Sequence, residues 1–188
     1  YQPIVDIRSG QLRGAEVLVR WRKSDGSLVL PGAFIPLMES SGLIAPLTRA
    51  LMRHVGAEVG AALGVRPALK IAFNLAAQLV RDDAIVKDVR NAFASGPIGL
   101  SQVVLELTER DQIENLVETR RVIAALQATG VRIAIDDVGT GHSGLSYILK
   151  LGVDIIKIDK MFVDALGTDR HSTTIVETLI DLAHNMRM

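Results

Sequence analysis

Segments typical of strands alternate along this chain with segments of helical periodicity, and this alternation restricts the fold to very few classes. Such a pattern predicts parallel strands covered by helices. The predicted strands are 4 to 7, 11 to 21, 70 to 75, 103 to 109, 131 to 135 and 154 to 159. The predicted helices are 31 to 42, 46 to 63, 82 to 96, 115 to 129, 143 to 151 and 171 to 185.

Polar side chains stand where four of these strands end. Asn74, Glu106, Asp136 and the pair Lys157 and Asp159 all fall at or near the carboxyl ends of successive strands. An Asp in such a place also suits a helix cap or a solvated turn, which is the alternative for any one of them. Four coincidences of position and residue type favour one shared site at the carboxyl face of a βα barrel. Carboxylate and amide oxygens suit a hard cation, so the residues predict Mg²⁺ or Mn²⁺.

Composition excludes several other classes of function. The chain has 188 residues with 48% hydrophobic content, enough to bury a substantial core. Lysines and arginines number 21 and the acids also number 21, so no overall field favours a nucleic-acid polymer. With no cysteine and four dispersed histidines, the chain has no zinc-site pattern and suits a reducing compartment.

The same residues form an ordered set of short motifs. They read YQPIV at 1–5, EVLVRW at 16–21, FIP at 34–36, ESSGLI at 39–44, NL at 74–75, ELTE at 106–109, DDVGTG at 136–141 and KID at 157–159. Together they resemble the EAL-domain family of cyclic di-GMP phosphodiesterases, and the likeness covers the whole chain. No single tetrapeptide would identify the family, but the ordered set is specific.

The resemblance implies an α/β fold, a modified TIM-like (βα)8 barrel whose first strand is antiparallel. It implies metal-dependent hydrolysis of cyclic di-GMP to the linear dinucleotide pGpG, with a site for two Mg²⁺ or Mn²⁺ ions. The implied metal ligands are Glu16, Asn74, Glu106 and Asp136, with Asp137 or Asp159 at the second metal. The implied catalytic residues are Lys157, which positions or activates the attacking water, Asp137, and Glu109, which anchors the loop 136 to 143. The implied substrate-binding residues are Gln2, Leu18 and Arg20, with Arg20 on a phosphate oxygen.

Four positions depart from the family pattern. Val17 replaces the alanine of the family name, but its side chain should face the helices, away from Glu16, with little effect on chemistry. Val138 replaces a frequent phenylalanine, and His142 and Gly144 stand where tyrosine and serine are common. These three lie in the loop after the paired aspartates, so they bear on loop order or dimer coupling more than on metal binding.

Two other functions stay open at this point. A degenerate barrel of the same family could bind cyclic di-GMP without cutting it and signal through a partner. A metal-dependent lyase of the enolase type also uses strand-end acids and a lysine, although it does not explain the ordered motifs. The expected partners are cyclic di-GMP and a second copy of the chain, with membrane contact only through domains outside it. The expected location is the cytoplasm.

The chain is also short for a closed barrel. A (βα)8 barrel usually needs about 250 residues, and six strands are recognisable here. We therefore expect residues 1 to 188 to be an incomplete phosphodiesterase domain, with a β-branched strand ending in a glutamate after Met188.

Overall fold

The computed structural model describes residues 1–109, 113, 115–139 and 145–188, and side chains within these ranges except those of 145–147. Its strands are β1 (Gln2–Val5), β2 (Leu12–Val17), β3 (Trp21–Arg22), β4 (Leu28–Val29), β5 (Lys70–Asn74), β6 (Val103–Thr108), β7 (Arg132–Val138) and β8 (Ile155–Ile158). Its α-helices are α1 (Pro31–Ser40), α2 (Ile44–Gly64), α3 (Ala84–Phe93), α4 (Leu116–Gln127), α5 (Leu145–Leu151), α6 (Lys160–Asp164) and α7 (Arg170–Asn185). Short 3-10 turns follow β5 and precede β6.

Six of the strands form one sheet in the order β1-β2-β5-β6-β7-β8. The β1 strand pairs antiparallel with β2, and the four pairings that follow are all parallel. The predicted antiparallel first strand is therefore confirmed. Helices α2, α3 and α4 separate successive parallel strands in the chain, as the alternation predicted.

The first two predicted strands differ from the structure at their ends. The segment 4 to 7 was expected to be a strand, but β1 ends at Val5 because the Asp6 carboxylate accepts the backbone N–H of Ser9 at 2.8 Å and closes a turn. The segment 11 to 21 was expected to be one strand, but β2 ends at Val17. The ladders with both neighbours stop there, at Gln2 opposite Glu16 and Phe73 opposite Val17. Trp21 instead pairs with Val29 in the small β3–β4 hairpin, which was not predicted.

The two faces of the sheet carry different side chains. Outward-facing residues such as Ile71, Leu105 and Ile133 pack with the helices in the main core, and Val17 belongs to the same core, as expected from its parity. The opposite face carries a small cluster of Ala72, Val104 and Ala134, with Ile155 against it. Because side chains alternate along a strand, the residues two places further along each strand point to this same inner side.

No described helix is both long and apolar enough to cross a membrane.

Gly14 on β2 gives a test of the sheet that is independent of function. A methyl group at Gly14 would lie 2.4 Å from the carbonyl oxygen of Lys70, its partner on β5, and backbone cannot move aside cheaply. We expect Gly14→Ala to lower the free energy of unfolding by about 2 kcal/mol and the Tm by about 4–8 °C.

Gly56→Ala is the matched control for that substitution. Gly56 lies inside α2 with no atom near the place of a methyl group, so alanine should stabilise the helix by up to about 1 kcal/mol. A calorimetric scan in which both variants shift the Tm equally would show that the close approach of β2 and β5 is not what requires glycine at position 14.

Candidate functional site

The amine of Lys157 on β8 lies among three carboxylates from three other strands. Its Nζ is 2.6 Å from Glu106 Oε2 on β6, 2.7 Å from Asp136 Oδ2 on β7 and 3.2 Å from Glu16 Oε2 on β2. Oxygens of the three acids all lie within 4.8 Å of one another. The sequence expected these residues to converge, and the structure brings them together.

This convergence requires a strongly curled sheet. Three strands separate β2 from β8, so in a flat sheet their axes would be about 19 Å apart, at roughly 4.8 Å for each of four steps. The contact of 3.2 Å between Lys157 and Glu16 is possible only because the sheet wraps around its inner face. The site therefore lies on the concave side, at the carboxyl ends of the parallel strands.

An irregularity in β7 shapes the site at the paired aspartates. Ile135 is opposite Ile156 on β8, but Val138 is opposite Ile158, so β7 carries one extra residue between these pairs. Asp137 takes a left-handed conformation in this bulge, with φ of 57°. Strict alternation would place Val138 on the same side as Asp136, whereas the bulge turns Val138 into the outer core. The strand can thus deliver a carboxylate inward and still be anchored by an apolar side chain two residues later.

Two further predicted residues border the acids. Asn74 donates its side-chain N–H to Glu16 Oε1 at 2.8 Å, which holds the Glu16 carboxylate from the side away from Lys157. Gln2 is directly opposite Glu16 in the β1–β2 ladder, so its side chain is on the same face. Both are accessible to solvent and so to a ligand.

Burial and mutual repulsion govern the ionisation of the acids. Glu106 is only 2% exposed, and its pKa is raised to about 7, mainly by burial and further by Glu16 and Asp136, although Lys157 opposes the shift. Burial disfavours the charged form of Lys157, but its hydrogen bonds to Asp136 and Glu106 outweigh burial and hold the pKa of the amine above its usual value. The amine is therefore a cation at neutral pH, and three ionised acids around it would leave a net charge of −2.

This donor set fits a hard divalent cation. Glu16, Glu106 and Asp136 offer carboxylate oxygens, and Asn74 offers an amide oxygen if its side chain rotates about its last bond. The surplus negative charge around a single ammonium is what a bound divalent ion would neutralise. Among the residues that the structure describes, these three acids form the group with metal-binding geometry.

Glu109 lies just after the end of β6 and forms hydrogen bonds to the backbone at the end of β7. Its side chain is buried, at 4% exposure, and its Oε2 accepts the backbone N–H of Gly139 at 2.8 Å. Its own backbone N–H donates to the carbonyl of Asp136 at 2.9 Å. Glu109 is thus bonded to both ends of the short segment that carries the bulge. The rest of the predicted loop, with His142 and Gly144, lies outside the described residues.

The remaining predicted residues lie around this centre. Asp159 caps α6, where its carboxylate accepts the backbone N–H of Met161 at 2.7 Å. Leu18 and Arg20 follow the end of β2, and the Arg20 guanidinium donates to the carbonyl of Val19 at 2.8 Å. The short helix α6 itself was not predicted, although an aspartate just before it is an ordinary cap signal. The structure brings the central residues together, but the roles of all the predicted site residues stay predictions.

Comparison with known proteins now identifies the family. A sequence model described as "EAL domain" matches residues 1–188. The chain belongs to the EAL-domain family. It is 41% identical over 193 residues to "Probable cyclic di-GMP phosphodiesterase PdeG" of Escherichia coli (strain K12), and 39% identical over 177 residues to "Probable cyclic di-GMP phosphodiesterase PdeB" of the same organism. These matches cover 99% and 94% of the chain, which spans only 37% and 34% of those relatives.

A solved structure agrees with the fold. "PaMucR Phosphodiesterase, c-di-GMP complex" is 32% identical, superposes with a TM-score of 0.88, and is matched over all of this chain and 76% of its own. The predicted TIM-like barrel class with an antiparallel first strand is therefore confirmed for this EAL domain.

Glu109 in this EAL domain can be tested apart from the acids. We expect Glu109→Ala to lower kcat by about tenfold, because the Gly139 N–H loses its acceptor and the end of β7 can shift by enough to misplace Asp136. Affinity for Mn²⁺, measured by titration calorimetry, should stay within about threefold of the original.

Glu109→Gln is the matched variant, since its amide oxygen can still accept from Gly139. It should keep most of the turnover that Glu109→Ala loses. Equal turnover in all three proteins would show that Glu109 only caps the segment that follows it.

Proposed function

We propose that this EAL domain hydrolyses one phosphodiester bond of cyclic di-GMP to give the linear dinucleotide pGpG. The observation that supports this most directly is the convergence of Glu16, Glu106 and Asp136 around Lys157 on the concave face. Relatives named as cyclic di-GMP phosphodiesterases, and a related phosphodiesterase solved in complex with c-di-GMP, support the choice of substrate.

The acids and Asn74 would hold Mg²⁺ or Mn²⁺, with Asp137 or Asp159 serving a second ion. When bound, such ions supply a water that ionises near neutral pH and positive charge for the phosphate oxygens. Glu106 must be ionised to serve as a ligand, and a nearby divalent charge favours that form over the protonated one.

Lys157 would act as a fixed hydrogen-bond donor and positive charge. Its amine stays protonated, and its three N–H groups donate to the three carboxylates, most weakly to Glu16 at 3.2 Å. The N–H released from Glu16 would donate to a water oxygen, and the positive charge would stabilise negative charge that develops on phosphate. In the reaction the oxygen of water bonds to phosphorus and the P–O bond to the 3′-oxygen breaks. The 3′-oxygen takes up a proton and becomes the 3′-hydroxyl group of pGpG. Gln2, Leu18 and Arg20 at the rim would contact the nucleotide, with Arg20 on a phosphate oxygen.

A turnover experiment decides between hydrolysis and binding alone. The full-length protein that contains this domain is incubated with cyclic di-GMP and Mg²⁺ or Mn²⁺, and pGpG is measured by chromatography, while binding is measured in parallel in Ca²⁺. Stoichiometric binding with no product would replace hydrolysis by the receptor function that the sequence left open. If cyclic di-GMP did not bind at all, it would not be the ligand of this domain.

Two further proposals concern the oligomeric state of the domain and its location in the cell. We propose a homodimer, which sedimentation of the purified chain would test, and a cytoplasmic location. Both rest on the family alone.

A further inference from the structure

Phe162 on α6 lies against the backbone that carries the paired aspartates. A methyl group at Gly139 would be 2.5 Å from Cε2 of Phe162 and 3.2 Å from two other atoms of the ring. The ring therefore fills the space where a side chain at position 139 would stand. Phe162 itself is buried, at 7% exposure, although α6 is a single short helix on the surface with exposed neighbours on both sides, Met161 and Val163.

Gly139 is held from its other side by Glu109. Its φ is 105°, and its N–H donates to Glu109 Oε2 at 2.8 Å. One residue earlier, the carbonyl of Val138 accepts the N–H of Asp159 at 3.3 Å. The end of β7 is thus bonded to Glu109, which follows β6, and to Asp159, which follows β8, and the Phe162 ring lies against Gly139.

The backbone at this point needs such support. Asp137 and Gly139 both have positive φ, and for a residue other than glycine that conformation persists only where its surroundings impose it. The bulge that contains Asp137 also sets the direction of Asp136 and the end of the strand that pairs with Ile158, next to Lys157. A contact that fixes Gly139 therefore bears on the two charged groups at the centre of the site.

We infer that Phe162 is a positioning residue for the reaction proposed above: its ring, packed on Gly139, holds the end of β7 against Glu109 and so fixes Asp136 beside Lys157. This inference rests on the proposed function for its kinetic consequence only. Its structural consequence, a protected Gly139 amide, does not depend on any activity.

The test compares Phe162→Leu with Phe93→Leu. Phe93 on α3 is also a buried phenylalanine, at 4% exposure, and packs near Phe73 in the helix-covered core, away from the acids. The two substitutions remove the same atoms from equally buried places, so general destabilisation affects both. Hydrogen exchange of the Gly139 amide is measured in each protein without metal, and kcat and KM for cyclic di-GMP are measured with Mg²⁺.

For Phe162→Leu we expect exchange at Gly139 to be about tenfold faster and kcat about tenfold lower, with KM within about threefold. Phe93→Leu should change both kcat and the rate of exchange at Gly139 by less than about twofold relative to the unsubstituted protein. The result that overturns the inference is equal exchange at Gly139 and equal kcat in the two variants.

The exchange measurement also separates this inference from the proposed function. If the unsubstituted full-length protein yields no pGpG, the proposed function fails, and faster exchange at Gly139 in Phe162→Leu alone still supports the positioning contact. Phe162→Ala serves as the second variant and should give a larger change in exchange than Phe162→Leu. A leucine variant with faster exchange but unchanged kcat would show that the contact does not position the reacting groups, which also overturns the inference.

Discussion

Glu106→Gln should abolish turnover of cyclic di-GMP while leaving the metal-free protein at least as stable. The substitution keeps the shape of a side chain that is 2% exposed but removes the charge that a divalent ion would need. Affinity for Mn²⁺ should fall by at least about tenfold. The remaining acids, Asp136 and Glu16, still pair with Lys157, so the fold keeps its central contacts.

The stability of this variant should depend on pH in a definite direction. The pKa of Glu106 rises from an ordinary 4.5 to about 7 in the folded chain, so folding takes up a proton between these values. Glu106 therefore contributes fully to the free energy of unfolding below pH 4.5, and this contribution is lost as the pH rises through about 7. Glutamine carries no such charge, and its advantage in the absence of metal should therefore be largest above pH 7, by about 1–3 kcal/mol.

Asp154→Asn provides the control for Glu106→Gln. Asp154 is a partly buried acid at the opposite end of β8, where it accepts the N–H of Ile133 at 2.8 Å. This variant should change stability but not the affinity for Mn²⁺. Near-normal turnover by Glu106→Gln at limiting Mg²⁺ would show that Glu106 is not a ligand.

Lys157→Met should reduce kcat by about 10²-fold or more with only a modest change in substrate affinity, the pattern expected when a contact to developing charge is lost. The same change removes the cation shared by Glu16, Glu106 and Asp136. We expect the free energy of unfolding without metal to fall by about 2–4 kcal/mol at neutral pH, since a buried acid loses its partner. Saturating Mg²⁺ should restore most of that loss, because a divalent ion can neutralise the same carboxylates.

Lys70→Met is the matched control for Lys157→Met, since Lys70 is also a strand lysine but donates to the carbonyl of Ser101 at the far end of the barrel. The stability of the Lys70→Met variant should depend on Mg²⁺ no more than the stability of the unsubstituted protein does. A large loss of substrate affinity in Lys157→Met with kcat preserved would make Lys157 a phosphate anchor instead.

Sequence alone was sufficient to predict the six strands of the main sheet in their order along the chain, and the strand ends that meet at the central site. Alternating strands and helices give parallel pairing almost by necessity, because a helix between two strands returns the chain to the same end of the sheet. Asn74, Glu106, Asp136 and Lys157 then share one edge simply by ending their strands, and Glu16 joins them from the second strand. The placement of the first four depends on local periodicity, which the sequence carries directly, whereas Glu16 was expected at the site only from the resemblance to the EAL-domain family.

Only the tertiary structure decided how the ends of the strands are held. The bulge at Asp137 lets Val138 pack in the outer core while Asp136 points to the inner face. Both placements depend on side chains from other strands. The strand β2 ends where its ladders with β1 and β5 end, at Glu16 and Val17, which the pattern of its own residues did not indicate. The contact of Phe162 with Gly139 joins residues with no shared local pattern. Periodicity within one strand cannot show such features, because they depend on which distant groups compete for the same space and the same hydrogen bonds.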